Sequence, residues 1–535
     1  MKAKYLLATL PLLGLAFTGC NDLNVAPEGS TITQGQKDEV VKNDPEMQRT
    51  MVAAIPATLK QRNGVTNNTK YQQDFGWGSV MLATDSRSED MVSEDIGYNW
   101  FSASLTYTDQ WKNYVANLIN WGSMFKIVQN SNTLLKTFDK ESEDPTTKFY
   151  LAQAYGYRAF GYFAMVQLYQ YTYVGHQEAP AVPLITEANV DEAAANGCPR
   201  ATVQEIYDQV LSDLDKAITL LEETKNIKPA DRDSKKYFYA AAAHALRARV
   251  YLVMNDWTKA AADAQYAIDN SGAQCYSRAE VSKPTFWNAA DNSWILATII
   301  DETDPVVVSR LCNWPAHIGS LNYGYGSVGA WKRINAKLYS EIPPSDVRKG
   351  WWLDQSGNSV NLNKDQKAFI DNAISDIDDP DISTSPAYIN VKFGPYADIV
   401  ENTMNANDLP MIRVEEMYLI LAEAQAMGGD PAQGAATLGQ WVRTYRNPEY
   451  VNPTGSATEI QDAVYFQRRI ELWGEGMAYF DLMRRNKGVN RNGGGFASSV
   501  DFVFGPDDPA LIYQIPQKEE DNNPLLGGNN PAAKL

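Results

Sequence analysis

The chain has 535 residues, enough to bury a large core, and length alone allows ~3–4 domains. Its 65 Asp and Glu outnumber 47 Lys and Arg, giving a formal net charge of −18. That balance argues against nucleic acid and against an electrostatic grip on anionic lipid, since both need clustered basic residues.

The first element is a leader. Lys2 and Lys4 precede an apolar stretch from Tyr5 to Phe17, interrupted by Pro11 and Gly14, and Thr18-Gly19-Cys20 closes it. This is the layout of a secretory signal peptide over 1–19, too short for the ~20 apolar residues of a membrane span. Thr-Gly-Cys is similar to a bacterial lipobox, in which the cysteine is acylated and becomes the mature N-terminus. Phe17 stands where that pattern has Leu, and ordinary secretion with an incidental cysteine is the alternative. Lipid on Cys20 would anchor the chain to a membrane by its end. Polar residues with Pro27 and Gly29 then read as a tether over 20–45, followed by one folded body over 46–535.

The body reads as mainly helical. A loop from Thr84 to Tyr107 carries Asp85, Arg87, Asp90, Tyr98, Asn99 and Trp100. Helices are predicted from Lys148 to Tyr171 and from Thr202 to Glu223. The second opens on the capping box Thr202-Val-Gln-Glu205 and carries Ile206, Val210, Leu214, Ile218 and Leu221 on one face. From Ala240 to Asn270, Ala248, Tyr251, Trp257, Ala260, Ala264 and Ala267 fall where a tetratricopeptide repeat places its packing residues. Asn255-Asp256 supplies the turn and Gly272 the stop. Met411–Met427 reads as a further first helix of such a pair. Thr458-Glu-Ile-Gln461 reads as the box of a helix whose stripe is Phe466, Ile470, Trp473, Met477 and Phe480. Repeats of this kind are scaffolds for partners more often than catalysts.

Between Phe286 and Ser385 the texture changes. Trp294–Ile300 is β-prone, and after it come Trp314-Pro315, Asn322, Tyr323-Gly-Tyr325-Gly and Trp331. Loops rich in Gly, Asn and aromatics are where ligand contacts concentrate. Gly324-Tyr-Gly326-Ser-Val-Gly329 matches GxGxxG in form only, because no buried strand precedes it. His176, His244 and His317 are far apart, and His244 on an alanine-rich face reads as core. Asp376-Ile-Asp378-Asp379-Pro380-Asp381 lacks the glycine and glutamate of an EF-hand loop and reads as a solvated turn. Cys198, Cys275 and Cys312 spell neither a disulfide framework nor a zinc site. No catalytic set, metal site or cofactor motif emerges.

Spread over nearly the whole chain are blocks that resemble the SusD/RagB family of Bacteroidetes surface lipoproteins. They include Cys20-Asn-Asp-Leu-Asn-Val-Ala-Pro27, Asp85-Ser-Arg87-Ser-Glu-Asp90, Val182-Pro-Leu184 and Arg200-Ala-Thr-Val-Gln-Glu-Ile-Tyr207. Arg413-Val-Glu415-Glu416, Arg468-Arg469-Ile-Glu471-Leu-Trp473-Gly-Glu475-Gly and Ile515-Pro-Gln517 complete the set. Arg468, Arg469, Glu471 and Glu475 read physically as pairs along one helix. The resemblance implies a SusD-like fold: mainly α, tetratricopeptide-like helix pairs, a loop-rich face and minor β. It also implies an outer-membrane, cell-surface lipoprotein that binds oligosaccharide and delivers it to a SusC-like TonB-dependent transporter. A peptide-binding RagB-like uptake protein is the alternative, and a glycan-cleaving enzyme a third reading. The family's ligand residues lie outside its shared motifs. The candidates are therefore taken from the two aromatic loops: Arg87, Tyr98, Asn99, Trp100, Trp314, Asn322, Tyr323 and Tyr325. Sugar rings offer C–H faces to Trp and Tyr, and their hydroxyls want polar partners.

Overall fold

The computed structural model describes residues 44–224 and 232–535. Cys20, the leader and all but the end of the expected tether lie outside the described residues. The chain divides into two compact units, 1–48 and 49–535, and the second carries the long helices and the strand pairs. Among the described residues no helix is long and apolar enough to cross a membrane.

The principal helices are α1 (Trp77–Arg87), α2 (Val115–Thr137), α3 (Pro145–Tyr169), α4 (Val203–Glu223), α5 (Ala240–Met254) and α6 (Trp257–Asn270). In the C-terminal part come α7 (Val414–Met427), α8 (Pro431–Tyr445), α9 (Ala457–Glu471) and the short α10 (Ala478–Arg484). From α2 to α8 each helix packs on the next, and α9 closes on α7. Local chemistry sets the boundaries. Asp144 caps α3 by accepting from Thr147 N, with Pro145 in the first turn, where its missing N–H leaves no bond unmade. Both bonds of the Thr202–Glu205 box form, and the stripe from Ile206 to Leu221 is buried. Between α5 and α6, Asn255 turns the chain at φ 59° and Asp256 caps α6 through Lys259 N. Gly156 in α3 is needed for close packing, because a Cβ there would sit 2.8 Å from the Phe238 ring.

Several boundaries differ from the sequence reading. Residues 84–87 belong to α1 rather than to a loop. Residues 411–413 are strand, and the helix begins at Val414. The box of α9 is Ser456 with Glu459, two residues earlier than Thr458 with Gln461. The stripe drawn through Phe480 is not one helix. α9 ends at Glu471, and Gly474 and Gly476 turn the chain at φ 78° and 76° before α10. Such angles are hard for any residue with a Cβ.

Among the described residues, four antiparallel strand pairs hold the irregular segments: β1 (Met91–Val92) with β5 (Arg333–Ile334), β2 (Pro180–Pro183) with β3 (Arg200–Thr202), β4 (Trp294–Thr298) with β6 (Leu409–Arg413), and β7 (Val489–Asn490) with β8 (Val503–Phe504). The β4–β6 pair, Trp294 opposite Arg413 and Thr298 opposite Leu409, clamps both ends of the segment running from Ile299 to Asp408.

Beneath this clamp lies a buried ionic cluster. Arg413 meets Glu415, Glu471 and Glu475 at 2.9, 3.2 and 2.8 Å, and Arg446 meets Glu471 at 2.8 Å. Arg348 pairs with Asp346 at 2.7 Å and reaches Glu471 at 3.4 Å, and Lys392 pairs with Glu475 at 2.6 Å. Four cations therefore face four carboxylates, so the cluster is balanced, as burial demands. The family block around Glu471 thus bonds across elements. Arg468 likewise reaches Asp481, and Arg469 reaches Asp90. The expected pairing along one helix is corrected: once Gly474 breaks the helix, Glu475 no longer shares its face.

Candidate ligand-binding face

The β1–β5 pair joins the two loops that the sequence singles out. Met91 lies opposite Ile334 and Val92 opposite Arg333, which brings residues 93–100 against residues 311–332. Where they meet, Ile96, Trp100 and Leu311 pack on a buried group of Ala316, Tyr325 and Ala330. Tyr325 stacks on His317 at 4.6 Å between centroids, and His317 stacks on Phe75 at 5.3 Å. Burial pushes the His317 pKa down to about 3, so a neutral imidazole sits in this pile. Burial also raises the Tyr325 phenol to about 12, against a hydrogen bond with Trp100.

Polar groups pin the first loop from below. Asn99 donates through Nδ2 to Ser93 Oγ (3.2 Å) and to the Glu94 carbonyl (2.8 Å). Its Oδ1 accepts from Lys332 Nζ at 2.8 Å and from Phe101 N at 3.2 Å. Burial first, and the Arg333 charge second, lower the Lys332 pKa to about 7. The adjacent Arg333 pairs with Glu94 at 3.1 Å. The loop between these anchors presents Tyr98, which is 52% exposed, and one side of the half-buried Trp100. Across the junction Tyr323 is 44% exposed.

The other candidates point inward. Arg87 is fully buried in the last turn of α1. It pairs with Asp109, donates to the Ala510 carbonyl and lies 4.7, 5.4 and 4.4 Å from the rings of Tyr107, Tyr479 and Tyr513. It braces the interior and cannot meet a ligand. Trp314 sits in the short helix Trp314–Ile318, 1% exposed, edge-on to Phe393 at 4.8 Å. Asn322 spends its amide on the Pro315 carbonyl (3.1 Å) and Asn405 Oδ1 (2.7 Å). Asn99 is taken up by Ser93, Glu94 and Lys332. These four are corrected from ligand contacts to framework, because a loop composition reports exposure of the segment and not of each ring or amide. Tyr325, 7% exposed, is the floor.

A third loop belongs to the same face and was not singled out from sequence. Tyr323 N donates to the Asn402 carbonyl (3.0 Å) and Glu401 N to the Leu321 carbonyl (2.8 Å), so residues 396–404 lie alongside residues 321–323. Ile399 and Met404 are exposed there. The Gly394-Pro395 step and the nearby Asn402, Asn405 and Asn407 are the turn signal that marked it. Two clefts lie elsewhere and contain none of the candidates: one of about 400 Å³ beside Trp121 and Phe125, and one of about 520 Å³ beside Tyr339 and Trp352. Among the described residues no cluster of His, Cys, Asp and Glu is placed to hold a metal, and Cys198, Cys275 and Cys312 are free thiols.

Comparison with known proteins decides the family. Residues 41–252 match the family described as "Starch-binding associating with outer membrane", and residues 327–532 match the "SusD family". The chain belongs to the SusD/RagB family. Among SusD relatives it is similar to SusD-like protein P38 of Formosa agariphila, 22% identical over a 433-residue alignment that covers 74% of this chain and 79% of that one. SusD-like protein P2 of the same organism is 23% identical over 77% of this chain and 79% of its own length. A SusD-like carbohydrate binding protein from Bacteroides vulgatus superposes with a TM-score of 0.72 at 19% identity, covering 91% of this chain and 98% of that chain. Surface glycan-binding protein A of Bacteroides thetaiotaomicron, solved in complex with laminarihexaose, superposes with a TM-score of 0.64 at 17% identity, over 91% and 99% of the two chains. These superpositions establish a shared SusD fold: helix pairs with minor β.

Proposed function

We propose that this SusD-family chain is a cell-surface lipoprotein that captures oligosaccharide on its loop face and hands it to a SusC-like TonB-dependent barrel. It acts as a binder, not a catalyst. The observation that carries the reading is the arrangement of Tyr98, Trp100 and Tyr323. These rings stand at least partly open on loops locked by Lys332, Asn99 and the β1–β5 pair. Rigid, partly exposed aromatics present the apolar face that a pyranose needs at little ordering cost. The laminarihexaose complex of one similar protein, and another described as a laminarin binding SusD-like protein, support the same chemistry.

Calorimetry with a panel of oligosaccharides that includes laminarihexaose tests it. The parent binds one of them with Kd ~1 μM to 1 mM, about −8 to −4 kcal/mol. Trp100→Ala or Tyr323→Ala weakens that binding by roughly thirtyfold, as loss of an aromatic anchor does. If both variants, folded by circular dichroism, bind like the parent, the site is elsewhere. Gentle detergent extraction of membranes is expected to recover a SusC-like transporter across an interface above ~2,000 Å². In the same experiment Cys20→Ala releases the chain from membranes and abolishes fatty-acid labelling. Labelling of the variant, or a lone chain where a control complex survives, counts against the assignment.

A further inference from the structure

Trp287 and Tyr396 form an aromatic corner separate from the rings of Tyr98, Trp100 and Tyr323. Their own rings lie 5.6 Å apart at 80°, both half-buried. Each polar end is held by an exposed carboxylate: Trp287 Nε1 donates to Asp398 Oδ1 at 3.1 Å, and the Tyr396 hydroxyl donates to Glu302 Oε1 at 2.8 Å. The loop behind them is fixed although its backbone is unfavourable. Ala397, Asp398, Glu401 and Asn405 all hold positive φ, between 53° and 64°, a region non-glycine residues seldom adopt and that clusters at functional sites. Asn402 Nδ2 donates to the Tyr396 carbonyl at 3.2 Å. Asn405 Nδ2 donates to the Tyr323 carbonyl at 2.9 Å, and Asp408 N donates to the Trp287 carbonyl at 3.0 Å. The corner and Tyr323 are therefore held by one set of backbone contacts.

We propose that Trp287 and Tyr396 are a second saccharide contact, selective for uncharged sugar, with Glu302 and Asp398 accepting from sugar hydroxyls. This contact rests on the glycan-binding reading of the chain. Ring faces supply the surface for C–H groups, and Asp398 Oδ2 and Glu302 Oε2 accept no hydrogen bond among the described residues. A uronate or sulfate would meet two carboxylates and be repelled, whereas a neutral hydroxyl finds acceptors.

Affinity electrophoresis of the folded chain through gels containing laminarin, starch or xyloglucan, and separately pectin or alginate, tests it. At least one neutral polysaccharide is expected to retard the parent. Trp287→Ala and Tyr396→Ala each weaken that retardation roughly tenfold, and Glu302→Gln and Asp398→Asn weaken it less. Should an alanine variant lose its circular dichroism, Trp287→Leu and Tyr396→Phe replace it and are expected to shift retardation in the same direction. Parent-like retardation of the folded ring variants, or retardation by the acidic polysaccharides alone, overturns the proposal while leaving glycan binding intact. Retardation by none of the five defeats the glycan-binding reading and this proposal with it.

Discussion

Glu471→Ala is expected to destabilise the protein by about 3–5 kcal/mol, measured as the shift of its urea midpoint, because it strands buried cations. Glu471 accepts from Arg446 at 2.8 Å and from Arg413 at 3.2 Å, and Arg348 lies 3.4 Å away. Burial by itself would raise its pKa, yet Arg446, Arg413 and Arg348 outweigh burial and hold the carboxyl well below the usual range. That depression fixes the direction of the pH dependence. The stabilisation is fully present above the unfolded carboxyl's value, about 4.3, and is lost as pH falls toward the folded value. Glu471→Gln keeps an acceptor but not the charge, and should fall between parent and alanine. A loss under ~1 kcal/mol for the alanine variant would mean that water, not protein, neutralises these arginines.

Asp85→Asn should do the opposite. Asp85 is buried at the end of α1, accepts from Gly476 N at 2.9 Å through Oδ2, and has no partner for Oδ1 among the described residues. Burial drives its pKa up to about 8, against the Gly476 hydrogen bond and Lys392, and with help from Asp90 and Glu475. The folded protein thus keeps a proton that the unfolded chain releases near pH 4. Between about pH 4 and pH 8 this group progressively removes stability, and the loss is complete above about pH 8. The amide resembles the neutral acid, so parent and Asp85→Asn should melt together at about pH 4.5 and separate progressively to about pH 8, the variant melting higher. Parallel curves would show that Asp85 is ionised, balanced by Lys392.

What could be read from residues alone depends on the range of the interaction that decides it. The Thr202 box, the Asn255-Asp256 turn and the apolar stripe of α4 depend on neighbours within about four positions, and they form as expected. The break at Gly474 was equally local but was overrun by a stripe, Phe466 to Phe480, that continued in phase by chance. Ser456, just ahead of Thr458, shows how a capping pair shifts when two candidates stand close together. Long-range partners were not legible. Nothing near Arg87 announces Asp109, Tyr479 and Tyr513, and Trp314 looks the same in sequence whether it faces water or Phe393. Loop composition singled out Tyr98, Trp100 and Tyr323, which are at least partly exposed, whereas the 396–404 loop meets residues 321–323 through hydrogen bonds between partners far apart in sequence.

The β4–β6 clamp gives the molecule a division of labour. The stretch from Ile299 to Asp408, which bears Tyr323, Tyr325 and Tyr396, departs from the helix stack and returns within one narrow gate of paired strands. Its two ends are spatial neighbours, so its exposed turns can change in length without moving α5, α6 and α7, whereas Arg348 and Lys392, which pair with Glu471 and Glu475, must stay. Loop closure grows only logarithmically with length, so such exchanges are cheap. The helix stack can stay constant while the exposed turns around Tyr323 and over residues 396–404 vary, so those turns, rather than the whole segment, are the natural places for grafting one relative's loops onto another.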